Sequence, residues 1–132
     1  MATPDSNEQL LGILRHSITE LVRREGPDLT ARQLATFLIC YLDSEAQTVR
    51  GLAAQLNISK PAVTRALDRL VEFDLVRRKD DPLDRRSILV QRTQTGAGFL
   101  RELRGITKEA AAQARHVATP GRALGEMRVV NN

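Results

Sequence analysis

Between Thr48 and Arg92 two short helical patterns, broken by a sharp turn, run directly into a charged β-prone stretch, and this constrains the fold most. Thr48 is placed to cap a helix whose Leu52, Ala53 and Leu56 share one face. Asn57 follows where the chain must reverse, and asparagine tolerates the left-handed backbone that such a turn requires. Ser59 caps a second helix, and Pro61 sits in its first turn, where a missing N–H does no harm. Val63, Leu67, Leu70 and Val71 recur at helical spacing and give this helix its buried side, with Ala62 at the margin. A small residue at Ala53, a turn residue at Asn57 and a branched one at Val63 have the spacing of a helix-turn-helix.

The second helix, residues 59–72, leaves Arg65, Asp68, Arg69 and Glu72 pointing away from its apolar stripe. Lys60 lies at its start, where unpaired backbone N–H groups favour an anion. The first turn of such a helix is also the part that reaches base edges in a major groove. Lys60, Thr64 and Arg65, with Ser59 at the cap, are therefore the candidate readers of DNA, and Arg69 is a candidate phosphate contact. A solvated amphipathic helix would show the same face.

The next segment decides between these readings. Leu75–Lys79 and Ser87–Gln91 are β-prone and bracket Asp80-Asp81-Pro82-Leu83-Asp84-Arg85-Arg86, so a hairpin is expected with its turn in that acid-rich run. Cations on both sides of the tip, Arg77, Arg78 and Lys79 before it and Arg85 and Arg86 after it, suggest a projecting wing whose aspartates orient arginines locally. Basic residues on a ribbon tip can enter a minor groove, where the potential is most negative. A charged edge that merely discourages sheet aggregation is the competing reading. Its position directly after a helix-turn-helix favours the wing, over residues 77–90.

The order of helix-turn-helix, Leu-Val-Arg-Arg, the Asp80–Arg86 run and a Thr-rich helix start resembles the winged-helix regulators of the MarR family. The likeness covers roughly residues 30–115, and Asp-x-x-Asp-Arg-Arg-Ser is its most specific part. It implies that Arg86 enters the minor groove and that Asp84 steadies it. It further implies a homodimer on a roughly palindromic site, usually acting as a repressor.

Charge is distributed accordingly. The net charge is +4, and from Arg50 to Arg104 twelve Lys/Arg face seven Asp/Glu, so the surplus lies on the presumed reading module. Arg50 joins Arg77, Arg78, Lys79 and Arg85 as a candidate for phosphates. Aromatics are confined to Phe37, Tyr41, Phe73 and Phe99, too few for a base-stacking platform of the single-strand or RNA-binding kind. Cys40 is the lone cysteine, which permits no internal disulfide and suits a reducing cytoplasm. No apolar stretch is long enough to cross a bilayer, and no signal peptide is read at the start.

The expected fold is mainly α with a small β-hairpin: a winged helix-turn-helix domain with N- and C-terminal dimerisation helices. The whole of 1–132 is read as a single domain, with 30–92 as the DNA-binding part and 6–26 and 94–132 as the dimerisation helices. Ser6 with Gln9, and Thr30 with Gln33, are capping boxes for helices reaching about Arg24 and Ser44. In the first helix Leu10, Ile13, Leu14, Ile18 and Leu21, flanked by Leu11 and Val22, exceed what a lone helix on a small domain would bury. In the next, Leu34, Phe37, Leu38, Tyr41 and Leu42 are expected inside. A long helix starts at Thr93 or Thr95 and carries a seam of Phe99, Leu103, Ile106, Ala110, Ala114 and Val117 for packing on another helix. Pro120-Gly121 should end it.

Other chemistry is poorly represented. His16 and His116 lack the spacing of a metal site, Gly96-x-Gly98 lacks the third glycine of a nucleotide loop, and no serine has a recognisable base. No catalytic residue, metal or cofactor is expected, and the chain is not read as an enzyme. A small-molecule effector is left open, with Phe37, Tyr41, His16 and Arg15 as candidate wall residues. Cys40, mid-helix and without a neighbouring cation, reads as a core side chain more than as an oxidant sensor. The alternative to a DNA-binding regulator is a winged-helix protein-interaction module that does not bind DNA, favoured by Asp68, Glu72 and Asp74 beside the reading face.

Overall fold

A computed structural model describes residues 6–116. Its elements run α1 (Asn7–Arg23), α2 (Ala31–Leu42), α3 (Val49–Leu56), α4 (Lys60–Glu72), β1 (Val76–Asp81), β2 (Asp84–Arg92) and α5 (Gln94–His116). They form two compact units: residues 25–102 and, among the described residues, 6–24 together with 103–116. The boundary falls inside α5, so the start of that helix belongs with the reading unit. From sequence the whole of 94–132 reads as dimerisation helix. The expectations for Val117 and for a break at Pro120-Gly121 lie outside the described residues.

Caps define the helices where the sequence places them. Both capping boxes form: Ser6 Oγ accepts from Gln9 N at 3.1 Å and Thr30 Oγ1 from Gln33 N at 3.2 Å, with each glutamine side chain reaching back. Thr48 Oγ1 accepts from Gly51 N to open α3, and Ser59 Oγ accepts from Ala62 N to open α4. Asn57 takes the left-handed conformation, φ 55° and ψ 46°, between them.

The core of the reading unit is built from α2, α3, α4, the start of α5 and the hairpin. Phe37, Leu52, Val63, Leu67, Leu70 and Val76 are fully buried. Phe37 stacks on Tyr41 at 4.4 Å and meets the edge of Phe99 at 5.1 Å. The buried stripe of α2 is Thr36, Phe37, Cys40 and Tyr41. Leu42, expected inside, is 59% exposed, because it is the last residue of α2 and turns off that stripe. Leu34 and Leu38 are half-buried. On α4, Ala62 lies inside the core instead of at its margin, and Ala66 joins it.

A polar knot ties these elements together. Tyr41 Oη donates to the Leu75 carbonyl at 2.6 Å and accepts from Thr93 N at 2.9 Å, joining α2 to the starts of β1 and α5. Thr93 Oγ1 donates to the Asp74 carbonyl and accepts from Gly96 N, so Thr93 caps α5. Asp74 has φ 56°, in the left-handed region, and ends the turn that leads α4 into the hairpin. Arg92 donates to the carbonyls of Cys40 at 3.0 Å and Asp43 at 2.7 Å, satisfying the C-terminus of α2.

In the terminal unit Leu103 and Ala110 are buried and Ile106 and Ala114 half-buried, as the seam requires. Among the described residues nothing covers the other apolar face. Leu10, Leu11, Leu14, Ile18 and Val22 are 52%, 59%, 54%, 47% and 74% exposed, and they span about 120° of α1 at 100° per residue.

Candidate nucleic-acid interface

The hairpin is longer and its turn tighter than the sequence suggests. β1 and β2 pair antiparallel from Val76↔Arg92 to Asp80↔Ile88, and then Asp81 pairs with Asp84. One step on β1 is matched by four on β2, so Arg85, Arg86 and Ser87 bulge out of the ladder. Only Pro82 and Leu83 form the tip. The tip aspartates fix backbone: Asp81 Oδ1 accepts from Leu83 N at 2.9 Å, and Asp84 Oδ1 from Arg86 N at 3.0 Å. Asp84 thus holds Arg86 through its amide, and the guanidinium projects from a bulge whose conformation is set locally.

The hairpin also reaches the helix-turn-helix, which the sequence did not reveal. Val90 N donates to the Gln47 carbonyl at 2.9 Å, and Thr48 bridges to Leu89. These bonds bring the start of α3 against β2. As a result Thr48, Val49 and Arg50 from α3, Lys60 and Thr64 from α4, and Asp84, Arg86, Ser87 and Ile88 from β2 line one open concavity of about 300 Å³. Three cations from three elements, Arg50, Lys60 and Arg86, therefore converge beside the N-terminus of α4, whose own N–H groups add positive potential.

The remaining candidates divide into two sets. Arg65, Lys79 and Arg85 are exposed and, like Arg50, Lys60 and Arg86, have no ion pair among the described residues. Arg69, Arg77 and Arg78 each hold a carboxylate. Arg69 bonds Glu72 at 2.8 Å and lies over the Phe73 ring at 4.5 Å. Arg77 meets Asp74 at 3.8 Å, and Arg78 meets Asp68 at 2.6 Å. The carboxylates that pair with wing guanidiniums thus come from α4 and the turn after it, whereas the tip aspartates bond backbone amides. Ser59 is engaged as the cap of α4.

Cys40 is 6% exposed, and burial pushes its thiol up to about 12. Arg92 opposes that shift and is a neighbouring cation the sequence did not disclose, yet desolvation prevails. The thiolate needed for oxidant sensing is disfavoured. Phe37 and Tyr41 belong to the core of the reading unit, whereas Arg15 and His16 line a concavity of the terminal unit with Glu8, Gln9 and Gln113. Among the described residues no group of three His, Cys, Asp or Glu could hold a metal ion, and no helix is long and apolar enough to cross a membrane.

A helix-turn-helix whose second helix is followed by a bulged two-stranded ribbon on the same unit defines a winged helix. Comparison with known proteins places it further. Residues 29–88 match the sequence model of the MarR family. Among solved structures, RV1404 from Mycobacterium tuberculosis is 26% identical with a TM-score of 0.67, covering 86% of this chain and 73% of that one. A mutant of E. coli MarR complexed with operator DNA is 24% identical (TM-score 0.60; 80% and 70% covered). The S. aureus MepR–DNA complex is 20% identical (TM-score 0.64; 84% and 86% covered). No curated protein matches the sequence.

Proposed function

We propose that this protein is a sequence-specific, double-stranded-DNA-binding transcriptional regulator that acts as a homodimer, in the repressing sense, in the cytoplasm. The observation that carries the proposal is the convergence of Arg50, Lys60, Thr64 and Arg86 on one concavity beside the start of α4. The first turn of α4 enters the major groove, where Lys60, Thr64 and Arg65 reach base edges. Arg86, presented by the bulge, enters the adjacent minor groove, and Arg50, Lys79 and Arg85 lie along phosphates. Fold likeness to E. coli MarR and S. aureus MepR, both solved with DNA, supports this placement.

One protomer makes too few contacts to specify a site, and the uncovered apolar face of α1 supports pairing. Two reading heads on half-sites about 34 Å apart would roughly square the discrimination of one. The rival, a module docking on protein through α4, relied on Asp68, Glu72 and Asp74. Each of those carboxylates is engaged by an arginine of the same chain, which favours the DNA reading.

Arg86→Ala should cost on the order of 1–3 kcal/mol of binding to a duplex selected from a random pool. Affinity should fall steeply with salt as counterions are released. Binding that survives both Arg65→Ala and Arg86→Ala unchanged would refute the assignment.

A further inference from the structure

Asp68 occupies a position that an unpaired acid could not hold on a DNA-reading face. On α4 it lies one turn after Thr64 and three residues after Arg65, within the exposed arc that carries the reading residues. A carboxylate there would face the phosphates it should avoid. Arg78, from the opposite element β1, reaches it at 2.6 Å, and its side chain is only 32% exposed, the least of the paired arginines flanking the reading face. This pair differs in kind from its neighbours. Arg69–Glu72 and Arg77–Asp74 are contacts three residues apart, whereas Asp68–Arg78 spans from the reading helix to the wing.

We propose that Asp68 is a positioning residue: its ion pair with Arg78 braces the wing against α4 and withholds Arg78 from the phosphates. The inference rests on the DNA-binding reading above and revises one of its residues. Arg78, which the sequence alone places among phosphate contacts, becomes part of the frame that sets the spacing between the major-groove and minor-groove readers. The pair cancels its own charge, so Arg78 releases no counterion on binding. The phosphate-neutralising cations are then those without a carboxylate partner, Arg50, Lys79 and Arg85, together with the readers.

The salt dependence of binding distinguishes a brace from a contact, since each neutralised phosphate adds about 0.9 to the slope of log K against log salt. The full-length dimer is measured on a duplex it selects from a random pool and on a random-sequence duplex. With Arg78→Gln the brace predicts weaker binding and a shallower slope, because Asp68 is left facing the backbone and salt screens its repulsion. Adding Asp68→Asn, which removes both charges of the pair, should restore the wild-type slope. Asp68→Asn alone should free Arg78, steepen the slope by about 0.9 per protomer and lower the ratio of selected to random affinity. Asp68→Glu, which keeps the carboxylate, should retain that ratio.

A slope that stays about 0.9 per protomer below wild type in the Arg78→Gln, Asp68→Asn double variant would make Arg78 a phosphate contact and overturn the proposal. So would an unchanged slope and ratio in Asp68→Asn. Either failure leaves wild-type binding intact, whereas no wild-type binding to any duplex would refute the DNA reading itself. Circular dichroism melts of each variant separate loss of binding from loss of fold.

Discussion

Removing one oxygen from Tyr41 tests whether the polar knot holds the wing to the rest of the reading unit. In Tyr41→Phe the ring keeps its stack on Phe37 and its burial, so packing is nearly constant. What disappears is the donor to the Leu75 carbonyl at 2.6 Å and the acceptor for Thr93 N at 2.9 Å. The first bond is buried, and an orphaned buried partner costs about 1–3 kcal/mol. The second is partly buried, so water can replace some of it, and about 1 kcal/mol is a fair ceiling. The expected loss is therefore about 1–4 kcal/mol. Urea unfolding at fixed protomer concentration, followed by circular dichroism, should show the midpoint falling by about 0.5–2 M with the slope unchanged. Hydrogen exchange at the Thr93 amide should accelerate by more than global destabilisation explains. A loss below about 0.5 kcal/mol, the range of an ordinary surface change, would refute the reasoning.

Three further outcomes follow from the same structure. A methyl group at Gly96 would collide with Tyr41 Oη and with the Leu75 carbonyl, so Gly96→Ala should cost at least the 1–3 kcal/mol typical of overpacking, roughly, in the same urea assay. Tyr41→Phe in that background should relieve part of the cost, and strict additivity would contradict the contact. For Cys40, the folded thiol titrates near 12 against an ordinary 9.0, so the folded chain keeps a proton the unfolded chain has lost. Its contribution is complete below pH 9.0 and falls by about 1.4 kcal/mol per pH unit between 9.0 and about 12. Wild type should thus lose stability across that window faster than Cys40→Val, and parallel curves from pH 8 to 10 would contradict the burial argument. Leu14→Lys with Ile18→Lys should leave helix content intact and yield monomers in analytical ultracentrifugation, since both residues are half-exposed in one protomer. Persistent dimers would place the interface elsewhere.

What could be read from the chain was whatever is local. Capping boxes at Ser6 and Thr30, the left-handed turn at Asn57 and the caps at Thr48 and Ser59 involve groups a few residues apart, and the sequence determined all of them. The buried stripe of α4 and the order of helices and hairpin follow from periodicity in the same way. So does the division of α4 into a packed side and a charged one.

Tertiary structure decided which cations share a surface and which are occupied. That Arg78 meets Asp68, ten residues away across two elements, depends on the angle at which the hairpin leaves α4. That Arg86 stands near Arg50 and Lys60 depends on Val90 bonding to Gln47, a contact with no periodic signature. Tyr41, Arg92 and Gly96 likewise looked like ordinary helix and strand residues, and only the approach of α2, β1 and α5 made them a knot. Short-range hydrogen bonds are fixed by spacing along the backbone, whereas charge pairing and close approach depend on distances set only once the core has packed.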